Sequence, residues 1–466
     1  MFQAFANIFK VPELRRRVLF TLGLLAIYRL GFVIPLVGVN PDEIAKAVQN
    51  TDDSTGFGRI AQYASIFSGG SLQQSTIFGL GIMPYITASI IFQLLTTVWK
   101  PLQDLKKDGM SGQQKINEYT RYATVALCII QGSMWLSYMV QQRWIEPSFQ
   151  DNLFVFYAAG LAGLTAGSLF LMWLGEQIDK YGIGNGISLI LTCGIVAGMP
   201  SAVMWVVDNF DPSINNSDGL NPVGLIALVA GFFLVVAGAI LITVAQRRIP
   251  IQQAKHTRGR RVYGGQRQYL PLRLNHAGVM PIVFASSLMI FPSMVFGWLA
   301  TSADSTTPQW WQNVTNFLRV NSEVGQFPYI FTEILLIFFF SYFWTTVQFS
   351  PDEMSKQLKQ SGSFIPGYRP GPRTAEYLET VMNRITYVGS GFLAAIAVIP
   401  TVVSSSLNVP LNVSQFLGGT GLLIVVSVGL DLIQRIEANL LMRNYSGFLS
   451  QGANDSKAPR IRSRTS

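Results

Sequence analysis

Residues 75–97 read STIFGLGIMPYITASIIFQLLTT, an apolar run without a single charged residue. A helix needs roughly 20 mainly apolar residues to cross the ~30 Å hydrocarbon core of a bilayer, so this stretch is long enough to span it. Nine further stretches have the same character: about 18–37, 120–141, 153–175, 184–206, 221–245, 276–300, 327–348, 382–402 and 414–434. Polar loops containing Gly and Pro separate them. Gly160, Gly163 and Gly167 give the fourth stretch the small-residue face that suits close helix packing in lipid. Composition agrees with this count. Of 466 residues, 49% are apolar and only 13% charged, about half the ~25% usual for a soluble protein. The same figures argue against disorder. The expected class is an all-α polytopic membrane protein.

Charge sets the orientation. The amino terminus, the even-numbered connections and the carboxyl tail hold all but five of the 34 Lys and Arg residues. The opposite loops hold only Lys46, Arg59, Arg143 and Arg319, and Arg29 lies inside the first span. The positive-inside rule therefore puts both termini in the cytoplasm. Arg29 interrupts the first apolar run and no small-residue cleavage site follows, which predicts a retained span rather than a removed signal peptide. Residues 1–17 are expected to form a cytoplasmic amphipathic segment. Trp99, Trp144, Trp205 and Trp298 stand near span ends, as interfacial tryptophans do.

Ten spans divide into a first half, 18–206, and a second, 221–436, joined by an external loop at 207–220 and followed by a cytoplasmic tail at 437–466. Five crossings reverse the starting side, so the second half must sit inverted relative to the first, an arrangement that often places a pathway between repeats. One echo supports duplication. Gly81-Ile82-Met83-Pro84 lies in the second span of the first half, and Gly278-Val279-Met280-Pro281 in the second span of the other.

Two cytoplasmic connections are long, 246–275 and 349–381. The first carries eight basic residues, among them Arg260 and Arg261; the second sets Arg369 and Arg373 among Pro366, Pro370 and Pro372. Basic residues near a membrane attract anionic lipid at about 1 kcal/mol each. The density here exceeds what topology needs and points to docking of a large anionic partner. The chain offers no engine of its own. It has no G-x-x-x-x-G-K-[ST] loop and no H-E-x-x-H. Gly182-Ile183-Gly184-Asn185-Gly186 precedes a span rather than following a strand, so a tight cytoplasmic turn is expected there. Two cysteines, Cys128 and Cys193, and two histidines, His256 and His276, supply neither a disulfide framework nor a metal centre. Arg29, Glu333 and Asp431 lie near span ends and are expected to snorkel to the interface. No cofactor and no catalytic activity are expected. A passive or partner-driven conduit fits best; the alternative is a secondary transporter for a small solute, which needs a buried polar site.

From about Leu14 to Tyr445 the sequence resembles the SecY family, channel subunits of the bacterial Sec protein translocase. The resemblance is carried by Ala26-Ile-Tyr-Arg-Leu-Gly31, Ile77-Phe-Gly-Leu-Gly-Ile-Met-Pro-Tyr-Ile86, Met172-Trp-Leu-Gly-Glu-Gln-Ile178, Gly182-Ile-Gly-Asn-Gly-Ile-Ser188, Gly259-Arg-Arg-Val-Tyr263, Phe284-Ala-Ser-Ser287, Pro366-Gly-Tyr-Arg-Pro-Gly371 and Phe416-Leu-Gly-Gly-Thr420. It implies ten transmembrane helices in two inverted five-helix halves around a central hourglass pore. Such a channel would translocate unfolded secretory polypeptides and release membrane segments into lipid through a lateral gate.

By motif position, the resemblance puts the pore ring at Ile82, Ile86, Leu191, Val283 and Ile424. An apolar constriction gates by dewetting and holds no substrate tightly. The family usually has isoleucine at these places, so Leu191 and Val283 depart from the pattern. Residues 61–72 match the plug, with Ile66, Phe67 and Ser68 followed by Gly69 and Gly70. Thr87 and Gln93 would face Ser287 and Phe291 across the lateral gate, and Arg260, Arg261, Arg369 and Arg373 would dock a SecA motor ATPase or a translating ribosome. Further implied partners are SecE-like and SecG-like small membrane subunits, signal-sequence-bearing polypeptides and anionic lipids. The implied location is the bacterial plasma (inner) membrane.

Overall fold

The computed structural model describes residues 12–40, 75–141, 143–150, 152–210, 220–253, 256–258, 261–263, 267–276, 278–301, 308–322, 326–407, 409–410, 413–414, 416 and 419–454. The helices are α1 (Pro12–Leu30), α2 (Met83–Val98), α3 (Lys100–Lys107), α4 (Met110–Gln141), α5 (Leu153–Tyr181), α6 (Gly186–Ala197) and α7 (Met199–Asp208) in the first half. The second half has α8 (Pro222–Val244), α9 (Met280–Thr301), α10 (Gln309–Asn321), α11 (Phe327–Gln348), α12 (Pro351–Gln360), α13 (Pro372–Leu407) and α14 (Thr420–Asn454). Each of the ten expected stretches contains a helix, the fifth being divided between α6 and α7 where Pro200 starts a new first turn. Residues 12–17 continue unbroken into the first span.

The boundaries differ from the sequence reading most at 75–82. The apolar run there begins the second stretch, yet its helix starts only at Met83. Gly81 has φ 59° and Gly278 has φ 62°. Each stands two residues before a helix that opens Met-Pro. Proline belongs in the first helical turn, where its missing N–H is not needed. A left-handed φ immediately upstream is open to glycine at little cost and costs other residues about 1–2 kcal/mol. The four-residue echo is thus one local structure built twice. Non-helical backbone at membrane depth must find its hydrogen bonds within the protein. Residues 75–82 do so: Leu36 donates to the Ser75 carbonyl at 2.9 Å, Ile77 to that of Ile34 at 3.1 Å, and Ser168 Oγ to that of Gly81 at 3.1 Å. Gly167 of α5 allows this approach, since a Cβ there would lie 2.2 Å from the Ile77 carbonyl oxygen.

At Gly278 an added Cβ would meet no heavy atom within 4 Å, so any cost of substitution is purely conformational. Gly278→Val should lower the unfolding free energy by about 1–2 kcal/mol. Gly278→Asn should lower it less, because Asn tolerates the left-handed region. Thermal unfolding of the detergent-solubilised protein would separate the two.

Among the described residues, two helix pairs join the halves most closely. Helix α2 packs on α9, and α6 packs on α14. In span order these are the second with the seventh and the fifth with the tenth. Each helix therefore touches its own counterpart, as a pseudo-two-fold axis between inverted halves requires. Within the halves, α4 packs on both α2 and α5, and α11 packs on both α9 and α13.

The two long basic connections hold strands that the sequence reading does not contain. Strands β1 (Gln246–Gln253), β4 (Arg267–Arg273) and β5 (Ser363–Phe364) form a sheet in the order β4-β1-β5, and β2 (His256–Arg258) pairs with β3 (Arg261–Tyr263). Ile249 and Ile251 alternate inward while Arg248 and Pro250 face out. Under the sheet, Ile249, Leu272, Phe349, Ile365, Leu378, Val381, Met382 and Ile385 form one buried cluster. In water, burying each large side chain contributes about 1.5–3 kcal/mol, so this module has a hydrophobic core of its own.

Candidate functional site

The five aliphatic residues expected at the constriction all lie in the largest buried apolar cluster. Ile82 and Ile86 at the start of α2, Leu191 in α6, Val283 in α9 and Ile424 in α14 are all buried, and all belong to one contiguous apolar cluster. These four helices make the two closest helix pairs between the halves. Ile86 and Val283 hold equivalent positions: each is two residues after the helix-starting proline. Each also donates its backbone N–H to the residue before Met, Ile86 to the Ile82 carbonyl at 3.1 Å and Val283 to that of Val279 at 3.2 Å. The five side chains are aliphatic and carry no polar atom.

On the side of the basic connections a cavity of about 340 Å³ opens beside this cluster, lined by Asn185, Arg273, His276, Gln348, Asp431 and Arg435 among others. Its polar groups are largely paired. Arg435 Nε donates to Asp431 Oδ2 at 2.8 Å, and Arg273 Nη2 to Gln434 Oε1 at 3.2 Å. The glycine-rich turn at 182–186 forms one wall. Asn185 caps α6 by accepting from the Ser188 N–H at 3.1 Å, and Asp179 accepts from the Gly186 N–H at 2.7 Å. A partly polar cavity thus adjoins the large apolar cluster.

The expected gate seam falls on the α2–α9 pair. Ser287 Oγ lies 4.0 Å from Met83 Sδ and donates to the Val283 carbonyl at 2.6 Å. Thr87 is buried and donates to the Met83 carbonyl at 3.0 Å, while Gln93 Nε2 reaches Ser89 Oγ at 3.4 Å. Phe291 lies on α9, but its side chain is outside the described residues. Sequence reasoning missed Met83, an ordinary apolar residue without a chemical signal.

Glu333 departs from expectation. Instead of snorkelling, it is buried in α11 with Ser286 Oγ of α9 at 3.5 Å from its Oε1. A carboxyl in an apolar bundle is held by hydrogen bonding, and the α9 serine supplies a donor. Arg29 is exposed, its guanidinium 5.3 Å from the Phe32 ring centroid, and Asp431 pairs with Arg435.

The two basic loops form one module, because β1 of the first pairs with β5 of the second through Gln252–Phe364 and Gln253–Ser363. Arg369 and Arg373 are exposed at its edge. The Pro366–Gly371 turn that carries Arg369 is fixed by several bonds. Gly367 and Gly371 have φ 89° and 124°, Thr374 Oγ1 donates to the Arg369 carbonyl at 2.8 Å, and Ser355 Oγ to that of Gly371 at 2.7 Å. Tyr368 stacks on Tyr377 at 4.2 Å between ring centroids. Arg261 is on β3 with its side chain outside the described residues, and Arg260 is outside them altogether, as are the plug residues Ile66, Phe67, Ser68, Gly69 and Gly70. Among the described residues, no group of three or more His, Cys, Asp or Glu could hold a metal ion.

Comparison with known proteins gives a consistent answer. The SecY family model matches residues 76–433. The protein translocase subunit SecY of Streptomyces griseus is 42% identical over 456 residues, covering 96% of this chain and all of that protein. Among solved structures, a protein conducting channel matches with a TM-score of 0.60 at 16% identity, covering 91% of each chain. Sec61 in the canine ribosome-channel complex matches at 0.57 and 15%, again covering 91% of each. The latter two likenesses concern the fold alone.

Proposed function

The chain belongs to the SecY family and is a protein-conducting channel for translocation across a membrane, not an enzyme, and from this premise we propose how its parts divide the work. Ile82, Ile86, Leu191, Val283 and Ile424 form the ring that closes the idle pore and fits itself around a passing chain. The observation that carries this assignment is that four helices from two inverted halves bring five aliphatic side chains into one buried cluster beside a partly polar cavity.

The α2–α9 seam is the lateral gate, with Thr87, Gln93, Ser287 and Phe291 along it and Met83 across from Ser287. Weak contacts such as a 4.0 Å hydroxyl–thioether approach cost little to break. Signal sequences and membrane segments of passing polypeptides leave through it into lipid. Residues 61–72 serve as the plug. The sheet module with Arg260, Arg261, Arg369 and Arg373 docks an external motor, either a SecA-type ATPase or a ribosome, and SecE-like and SecG-like subunits complete the complex in a bacterial inner membrane. Anionic lipid contacts the remaining cytoplasmic basic residues.

A stalled secretory polypeptide tests the pore assignment. Photo-crosslinking groups placed at Ile86 or Ile424 should each capture the arrested chain in native membranes, whereas a group at lipid-exposed Ile226 of α8 should not. Capture at Ile226 alone would place the path elsewhere.

A further inference from the structure

The external helix α10 has three distinct faces. One packs on α9 and the start of α11, with Thr315 2% exposed and the Nε of Arg319 enclosed. A second is mainly polar and exposed, with Gln309, Asn313 and Asn316, and ends in Val320 at 43% exposed. The third is apolar and uncovered, with Trp310 65%, Val314 42% and Phe317 68% exposed. Trp310, Val314 and Phe317 follow each other at spacings of four and three, so they form one stripe along the helix. The helix contains no Asp, Glu or Lys, and its one cation, Arg319, lies on the protein-facing arc. The polar face can stay in water while the stripe does not need to.

We propose that α10 is an interfacial helix that lays this stripe into the outer leaflet and anchors the outer end of α9 to lipid. Topology places it at the required depth, because it connects the outer ends of two membrane-spanning helices. Its stripe is also continuous in character with the outermost turn of α11, where Phe327 and Phe331 are 77% and 56% exposed and stack at 6.2 Å. Aromatic rings gather at the headgroup level because one part of each ring system favours the apolar side and its edges tolerate water. Amphipathic helices bind in this plane with their apolar face at the headgroup–acyl boundary. The exposed aromatic end of a membrane-spanning helix next to the stripe favours lipid over a protein as its cover. The lipid contact does not depend on α9 acting as a gate.

An environment-sensitive fluorophore tests this on the full-length protein in phosphatidylethanolamine–phosphatidylglycerol vesicles. It is attached in a Cys128→Ala, Cys193→Ala background at Phe317→Cys or Trp310→Cys, with Asn313→Cys as the polar-face comparison. Labels at 317 and 310 should show blue-shifted emission, lose most of their intensity to nitroxide-labelled lipid and resist aqueous iodide. The label at 313 should show the reverse. Equal iodide access at all three positions would overturn the proposal by leaving the helix in water. Shielding of 317 and 310 from both quenchers would overturn it in favour of a protein partner.

Discussion

Ile86→Asn and Ile424→Asn should each turn the sealed idle channel into a leaking one. Both side chains sit in the apolar cluster, 5% and 1% exposed. Burying an unpartnered amide there costs roughly 2–7 kcal/mol. The cheapest relief is a thread of water along the amide, and a hydrated constriction passes ions. Ion flux through reconstituted vesicles should rise well above the wild-type level, and polypeptides with defective signals should be admitted. Ile86→Leu keeps volume and polarity and should keep the seal. Unchanged flux in both Asn variants would remove these residues from the ring. Substitution of lipid-exposed Ile226 by Asn, outside the cluster, should leave flux at the wild-type level.

Arg369→Glu should nearly abolish motor-driven translocation while the idle seal stays intact. The arginine is presented on a turn already fixed by Thr374, Ser355 and the Tyr368–Tyr377 stack, so docking orders little that is not ordered. Truncating one partner of a hydrogen-bonded charge pair at an interface costs about 2–5 kcal/mol, and reversal adds repulsion. At 1.4 kcal/mol per tenfold, affinity should fall at least roughly 30-fold. Arg369→Lys should retain part of the function, since a lysine keeps the charge but lacks the planar fork. Translocation assays with an added SecA-type ATPase, alongside ion-flux measurements, check both halves of the expectation. Wild-type stimulation of Arg369→Glu would take the turn out of the docking surface.

The resemblance named ring positions on four helices from short motifs, and the fold brings all five side chains into one cluster. Pro84 and Pro281 carried a signal for the helix starts that apolar length alone concealed, because proline belongs in a first helical turn. The strands at 246–253 and 267–273 were legible in principle. Ile249 and Ile251, then Leu270 and Leu272, alternate with the period of a half-buried strand, a signal concealed by the density of arginine around it.

The spans were legible in the sequence alone, because apolar length is a local property that the bilayer reads segment by segment. Three features were decided only by tertiary structure. Residues 75–82 are as apolar as the helix they precede, and they stay unwound because residues 34–36 and Ser168 supply their hydrogen bonds. Glu333 has the position of a snorkelling side chain, yet Ser286 on another helix holds it inside. The two basic loops, about a hundred residues apart in the chain, become one platform through a two-residue strand pairing. Each depends on a partner distant in sequence, which no local pattern specifies.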